Sequence, residues 1–320
     1  MLDASISAGK GLGVRRLLII LALIGLSACA GRRVPHPAAY YPPDLPKGWT
    51  GPCAEPANAH QAARLNANSI DTLAVAPFGH AETGWRTYAP LTAHEAGTAC
   101  APDTPGFAEA LARWKVAHGM AYDGTVDDRT LQVLKGAWQE HRPFLMARVK
   151  KEPCPDPPAI DDLEQIKPTE SHYGKPILVR PEALASYRRM VAAARRELPE
   201  LDRDPLLMTI FSGYRSPEYD AASCFNQGGC NGVARASSCS AHRTGAALDI
   251  VIGNAPGARV DTATDANRRY LSQTRLYQWM VLNAGRYGFV NYPYEPWHWE
   301  YVGAVYEGAR SPHDRRRTAR

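Results

Sequence analysis

The 320 residues are 45% hydrophobic and 22% charged and carry a formal net charge of +5, the balance of an ordinary globular protein with room for two domains. The basic residues crowd the ends, at Arg15 and Arg16, at Arg32 and Arg33, and at Arg315, Arg316 and Arg317. A nearly neutral interior excludes a dedicated nucleic-acid binder, which needs a basic face to displace counterions, so no nucleic-acid partner is expected.

At the amino terminus, Arg15 and Arg16 precede the apolar run 17–25, and Leu26-Ser27-Ala28-Cys29 comes next. A charged start, a short apolar stretch and a small-residue cleavage site read as a secretory signal, too short to span a bilayer. A cysteine directly after Leu-Ser-Ala resembles the bacterial lipoprotein box. That resemblance implies cleavage ahead of Cys29, lipidation of Cys29, membrane attachment through the lipid, and a place in the cell envelope facing the periplasm. In Gram-negative lipoproteins an Asp after the cysteine retains the protein at the inner membrane; Ala30 stands there instead, which implies the outer membrane. The chain therefore opens with a signal peptide over 1–28 and a tether over 29–56 rich in Pro, Gly and Ala. It closes with a basic tail over 306–320, read as a solvated terminus.

The other cysteines are Cys53, Cys100, Cys154, Cys224, Cys230 and Cys239. An even set beyond the membrane reads as disulfides, and spacing alone assigns no connectivity. A local bridge within Cys224, Cys230 and Cys239 leaves the third of them to find an upstream partner, and Cys154 is nearest in sequence. The alternative, a thiolate metal site, lacks the Cys-x-x-Cys spacing such sites favour.

Residues 57–153 read as a module of their own. Apolar residues recur at helical spacing from Phe107 to Trp114, with Pro105 just ahead and an expected end near Gly119. A second amphipathic run over 130–138 places Leu131, Leu134 and Trp138 on one face. Between the two lies a Gly124 turn, with Asp and Thr residues after it that are able to cap the next helix. This helix, Asp-Gly turn, helix pattern resembles small helical peptidoglycan-binding modules. The alternative is a structural helical domain packed on the second domain of the chain.

Cys154-Pro155-Asp156-Pro157-Pro158 reads as a linker into that second domain, over 154–305. Its predicted elements are a helix over 181–198 with Leu184, Tyr187, Met190 and Val191 on one face, a buried strand over 206–211, a strand over 246–252 and a helix over 276–286. An aromatic stretch over 289–301, interrupted by Pro293 and Pro296, reads as a loop leading into a strand from about Trp297. The fold expected is α+β: an antiparallel-rich sheet with packed helices carrying a zinc site at one edge, preceded by a small mainly helical domain.

Three segments of this domain carry chemistry: Ser212-Gly213-Tyr214-Arg215-Ser216, then 240–249 with Ser240, His242 and Asp249, then Glu295-Pro296-Trp297-His298. A carboxylate in the middle of an apolar strand is costly to bury unless it is paired or bound to a cation. Two imidazoles and one carboxylate suit zinc, and three protein ligands leave a fourth position for water, as catalytic sites do. Glu295, three residues before His298, is placed to act as general base. Pro296 disfavours a helical conformation at Glu295, so the pair is presented from a turn and not from a shared helix face. Taken singly, each histidine is also compatible with an ordinary structural role, and Asp249 with an ion pair to Arg215 or Arg243.

In that order and combination the three segments resemble the VanY-type D-alanyl-D-alanine carboxypeptidases and their relatives, over roughly 212–301. The resemblance implies zinc ligands at His242, Asp249 and His298, a catalytic base at Glu295 and a transition-state-stabilising Arg215. It also implies that Ser240 helps hold substrate, and Tyr214 and Trp297 are expected on the substrate side. The chain departs from several relatives in carrying Asp220 where they have Gln, and in a longer insert over 224–239. The implied activity is removal of the terminal D-Ala from peptidoglycan stem peptides. The alternatives are an LD-carboxypeptidase or endopeptidase of the same family, or a zinc-containing wall-binding protein without turnover.

Overall fold

Local capping explains the helices of the first half. The computed structural model describes residues 53–226, 239–292 and 295–303. Helices α1 (His60–Ser69) and α2 (Ala89–Glu95) flank a small antiparallel ribbon of β1 (Ala74–Val75) and β2 (Glu82–Thr83). Helix α3 (Pro105–Ala117) starts at Pro105, where a missing N–H costs nothing. Thr104 caps it by accepting from the Phe107 N–H at 3.3 Å. Helix α4 (Asp128–Gln139) is capped by Asp127, which accepts from the Thr130 N–H at 2.7 Å. Between them, buried Lys115 donates to Asp123, to Asp127 and to the Thr125 carbonyl. The Asp-Gly turn is therefore held by a cap and an internal cation. Leu131, Leu134 and Trp138 form the buried face of α4 as expected. Pro143 then starts α5 (Pro143–Val149).

The second half opens with a ribbon of β3 (Glu164–Gln165) and β4 (Leu178–Val179). Helix α6 (Pro181–Glu197) buries Leu184, Tyr187 and Met190, with Val191 half-buried against the same core. The short α7 (Glu200–Arg203) leads to β5 (Ile210–Ser212), and α8 (Pro217–Asn226) comes after it. Strand β6 (Ala247–Ile250), helices α9 (Asp265–Ser272) and α10 (Arg275–Asn283), and strands β7 (Phe289–Tyr292) and β8 (Glu295–Tyr301) complete the order. The main sheet is antiparallel with strand order β5-β6-β8-β7. This is the α+β fold expected.

The segment 289–301 departs from its sequence reading: it forms two strands where a loop and one strand are expected. The two prolines argue for a loop. Pro296 is accommodated because β8 bulges. Asn291 pairs with Trp299 and Tyr292 pairs with Glu295, so 296–298 are extra residues on β8. A proline survives in an inner strand where a bulge removes the ladder bond it cannot make.

One hydrophobic core runs from Ile70, Trp85 and Phe107 through Leu134 to Leu184, Ile250 and Trp299. The helical first half and the sheet share that interior. Disulfides join Cys53 to Cys100 and Cys154 to Cys239. Cys154 is the upstream partner expected for the three-cysteine group. The signal peptide, Cys29, the tether ahead of Cys53, the basic tail, Cys230 and the Cys224 side chain lie outside the described residues. Among the described residues no helix is long and apolar enough to cross a membrane.

Candidate metal centre

Strand register brings the first two groups together. Asp249 on β6 and His298 on β8 are cross-strand partners, so their side chains leave the same face of the sheet. His242 arrives from a 3-10 turn, Ala241–Thr244, just before β6. The chain leaves that turn through Gly245 at φ 72°, where an added Cβ would lie 2.7 Å from Leu163. One ligand atom from each of His242, Asp249 and His298 lies within 4.8 Å of the others, and all three residues are buried. Asp249 Oδ1 lies 2.9 Å from His298 Nδ1, and Oδ2 lies 3.2 Å from His242 Nε2. The group sits over the two central strands, not at the sheet edge expected from the sequence. The reason is that β7 and β8 fold as a hairpin, which adds an outer strand beyond His298.

The outer nitrogens of both rings are also engaged. His242 Nδ1 donates to the Gly213 carbonyl at 2.6 Å. Gly213 is required there, because a Cβ would come within 2.6 Å of both the Ile177 side chain and the Leu178 carbonyl. His298 Nε2 lies 3.2 Å from Glu300 Oε1, and Arg142 Nε donates to that same oxygen at 3.0 Å. The sequence reading missed Glu300, Gly213 and Arg142. Glu300 had a readable signal, two residues from His298 on a strand. Arg142 had none, being more than 150 residues away in the chain.

The β8 bulge aims the third motif. Buried Asn291 donates to the Pro296 carbonyl at 3.2 Å and to the His298 carbonyl at 3.0 Å, spanning the extra residues. Its Oδ1 accepts from Tyr277 at 2.9 Å. Trp299 is fully buried, with its indole N–H donated to the Pro296 carbonyl at 3.1 Å. Trp297 is also buried within the core.

Arg215 donates to Asp249 Oδ2 at 2.8 Å and through Nε to Ser212 Oγ at 3.0 Å. Tyr214 is half-buried beside it, and its backbone N–H reaches the Leu178 carbonyl at 2.8 Å. Ser240 donates its hydroxyl and its backbone N–H to Asp220, at 3.0 and 3.2 Å to Oδ2. Asp220, the departure noted in sequence, is itself buried. A hydroxyl has one proton, and Ser240 commits it to Asp220.

The charges follow from these contacts. Burial by itself would raise Asp249, but the two imidazoles outweigh it and hold the carboxyl well below its usual range. Burial lowers His242, and the Arg215 charge adds to that, against the pull of Asp249. Burial opposes the charge on His298 as well, yet Asp249 and Glu300 together push it up to about 9. Glu300 is held down at about 2 against its burial, chiefly by Arg142. Burial raises Glu295, and the Asp249 charge adds to the rise.

Two imidazoles and a carboxylate, buried, within reach of one ion and oriented by outer acceptors, fit a divalent cation of zinc type. Residues 176–304 match the sequence model of the VanY family, described as D-alanyl-D-alanine carboxypeptidase. Over those residues the chain is similar to a VanY-type domain. Among solved structures, the LdcB LD-carboxypeptidase is 29% identical over 40% of this chain and 60% of its own, with a TM-score of 0.30. A mutant of the vancomycin-resistance D,D-pentapeptidase VanY, in complex with Zn(II), is 23% identical over 48% of this chain and 85% of its own, also at 0.30. The chain therefore spans less than two thirds of the length of LdcB. No curated protein matches the chain.

Proposed function

We propose that the chain is a zinc-dependent D-alanyl-D-alanine carboxypeptidase that removes the terminal D-Ala of peptidoglycan stem peptides in the cell envelope. The observation that carries the reading is the convergence of His242, Asp249 and His298 on a single small volume. His242 Nε2, an Asp249 oxygen and His298 Nδ1 would hold the ion, because the other ring nitrogens are engaged by Gly213 and Glu300. Bound zinc would supply a water acidified from 15.7 toward about 7 and a Lewis acid for the scissile carbonyl.

The remaining roles fall to the chain itself. Glu295, with its carboxyl raised toward the working pH, accepts the proton of the attacking water and returns it to the leaving amine. Arg215 is about one third exposed at its side chain. Its guanidinium is placed beside Asp249 to steady negative charge developing on the substrate oxygen. Ser240 contacts substrate as an acceptor while its proton stays with Asp220. Tyr214 lines the same side, and Trp297 supports the β8 bulge from the core. Lipidation at Cys29 would hold the enzyme at a membrane facing the wall.

Digestion of purified muropeptides by protein lacking residues 1–29, with mass spectrometry of the products, tests the specificity. Loss of one D-Ala from pentapeptides is expected. Trimming of tetrapeptides would assign the LD activity instead, split dimers an endopeptidase, and no product from zinc-loaded protein a wall binder without turnover.

A further inference from the structure

The metal-site strand is contacted by a part of the chain that lies outside the VanY-type segment. Helix α4 ends at Gln139, and Pro143 forces the residue before it out of helical geometry. Arg142 accordingly sits at φ −96° and ψ 103°. From there its guanidinium reaches the sheet. It lies over the Tyr292 ring at 4.1 Å, donates Nη1 to Gln139 Oε1 at 2.9 Å, and directs both Nε and Nη2 at Glu300 Oε1. Gln139 in turn donates to the Asn291 carbonyl at 3.3 Å, and the Asn291 side chain holds the His298 carbonyl. Backbone and ring of His298 are thus both tied, through one intermediate each, to the stretch 139–142 where α4 gives way to α5.

The two ties differ in what they can do. A hydrogen bond to a backbone carbonyl fixes where the strand runs. A carboxylate on the far nitrogen of a ligating imidazole fixes the ring rotation and the tautomer, and makes the near nitrogen a better donor to a metal. Glu300 can do this only if its carboxylate is held facing the ring. It is buried, with 4% of its surface exposed, and a buried carboxylate without a counter-charge is strongly disfavoured. Arg142 supplies that counter-charge, and its fork pins Oε1, the oxygen that faces the His298 ring.

We infer that Arg142, contributed by the helical first half, is a positioning residue for the metal centre: acting through Glu300, it sets the orientation and tautomer of His298. The inference rests on the zinc reading of the His242–Asp249–His298 group. It assigns the helical segment a part in the metal site, whatever else that segment binds.

The test measures zinc affinity of the metal-free full-length protein by chelator competition, without reference to turnover. Arg142→Gln and Glu300→Gln are each expected to weaken zinc by roughly 10–100-fold, the usual effect of losing an outer partner of a ligating histidine. Arg142→Lys, which keeps the charge and loses the fork, is expected to recover part of that loss. Arg188→Gln removes an ion pair to Glu170 at a distance from the metal group and is expected to leave zinc affinity unchanged, which separates positioning from general loosening. A folded Arg142→Gln or Glu300→Gln variant with wild-type affinity overturns the inference. Nitrogen-15 NMR of the zinc-loaded wild type provides a readout that needs no variant: the His298 proton must reside on Nε2 and exchange slowly. A proton found on Nδ1 instead also overturns it. Wild-type protein that takes up no zinc would remove the metal reading itself, whereas zinc-binding wild type beside an unaffected Arg142→Gln removes only the role of Arg142.

Discussion

Asp249 and His298 face each other across the central strand pair, with Oδ1 and Nδ1 2.9 Å apart. The same carboxylate reaches His242 through its other oxygen. One side chain thus stands between both imidazoles, and its loss disconnects them. Asp249→Ala is expected to abolish zinc uptake, a larger effect than the ~10–100-fold typical of outer partners. Metal analysis after dialysis against zinc checks it, and a variant retaining one ion per chain would exclude Asp249 as a ligand.

Glu295 lies on the same strand as His298 but is not part of the ligand group. Glu295→Gln keeps the size and loses the base. Zinc content is expected to stay at the wild-type level while turnover falls by about 10²–10⁴-fold. Near-wild-type hydrolysis would assign the proton transfer to another group.

The charge on His298 gives the metal-free protein a distinctive pH response. Its folded value of about 9 stands above the ordinary 6.5. The stabilisation it contributes is fully present below the ordinary value and is lost as pH rises through about 9. Zinc must displace that proton from Nδ1, so apparent affinity is expected to rise about tenfold per pH unit between 7 and 8.5. Calorimetry at pH 7.5 in buffers of different ionisation enthalpy should report at least about one proton released per ion bound, the ring proton plus any lost by the bound water. Zero release would mean the ring is already neutral.

Lys135 and Glu82 form an ion pair in the shared core, both nearly inaccessible, with the Tyr88 hydroxyl completing the cluster. Lys135→Met leaves Glu82 buried without a counter-charge, only the Tyr88 hydroxyl still donating to it, which costs roughly 3–5 kcal/mol. Replacing both, as Lys135→Met with Glu82→Leu, is expected to recover most of that. Urea denaturation of the two variants decides it: equal losses would show that the pair itself, and not the orphaned carboxylate, accounts for the effect.

Signals confined to a few neighbouring residues were legible in the sequence. Pro105 and Asp127 mark their helix starts, and Leu184, Tyr187 and Met190 mark the inward face of α6, because caps and periodicity act over one turn. His242, Asp249, Glu295 and His298 stood out because polar groups were set among apolar or aromatic neighbours. Strand β7 was hidden because proline in a bulge and proline in a loop look alike until the partner strand is known. Asn291, Gly213 and Arg142 were hidden for a related reason. Each acts on a residue brought near only by the tertiary fold, and nothing within a short window announces the partner.

The Cys154–Cys239 bridge has a practical consequence for anyone dissecting this protein. A fragment trimmed to 176–304 would keep Cys239 and discard Cys154. Only Ser240 and Ala241 would then separate the orphaned thiol from His242. Such a fragment would also lack Arg142 and much of the interior it was folded against. The smallest autonomous piece therefore begins well upstream of the recognisable homology, and expression trials should set their boundaries by shared interior and cross-link, under oxidising conditions.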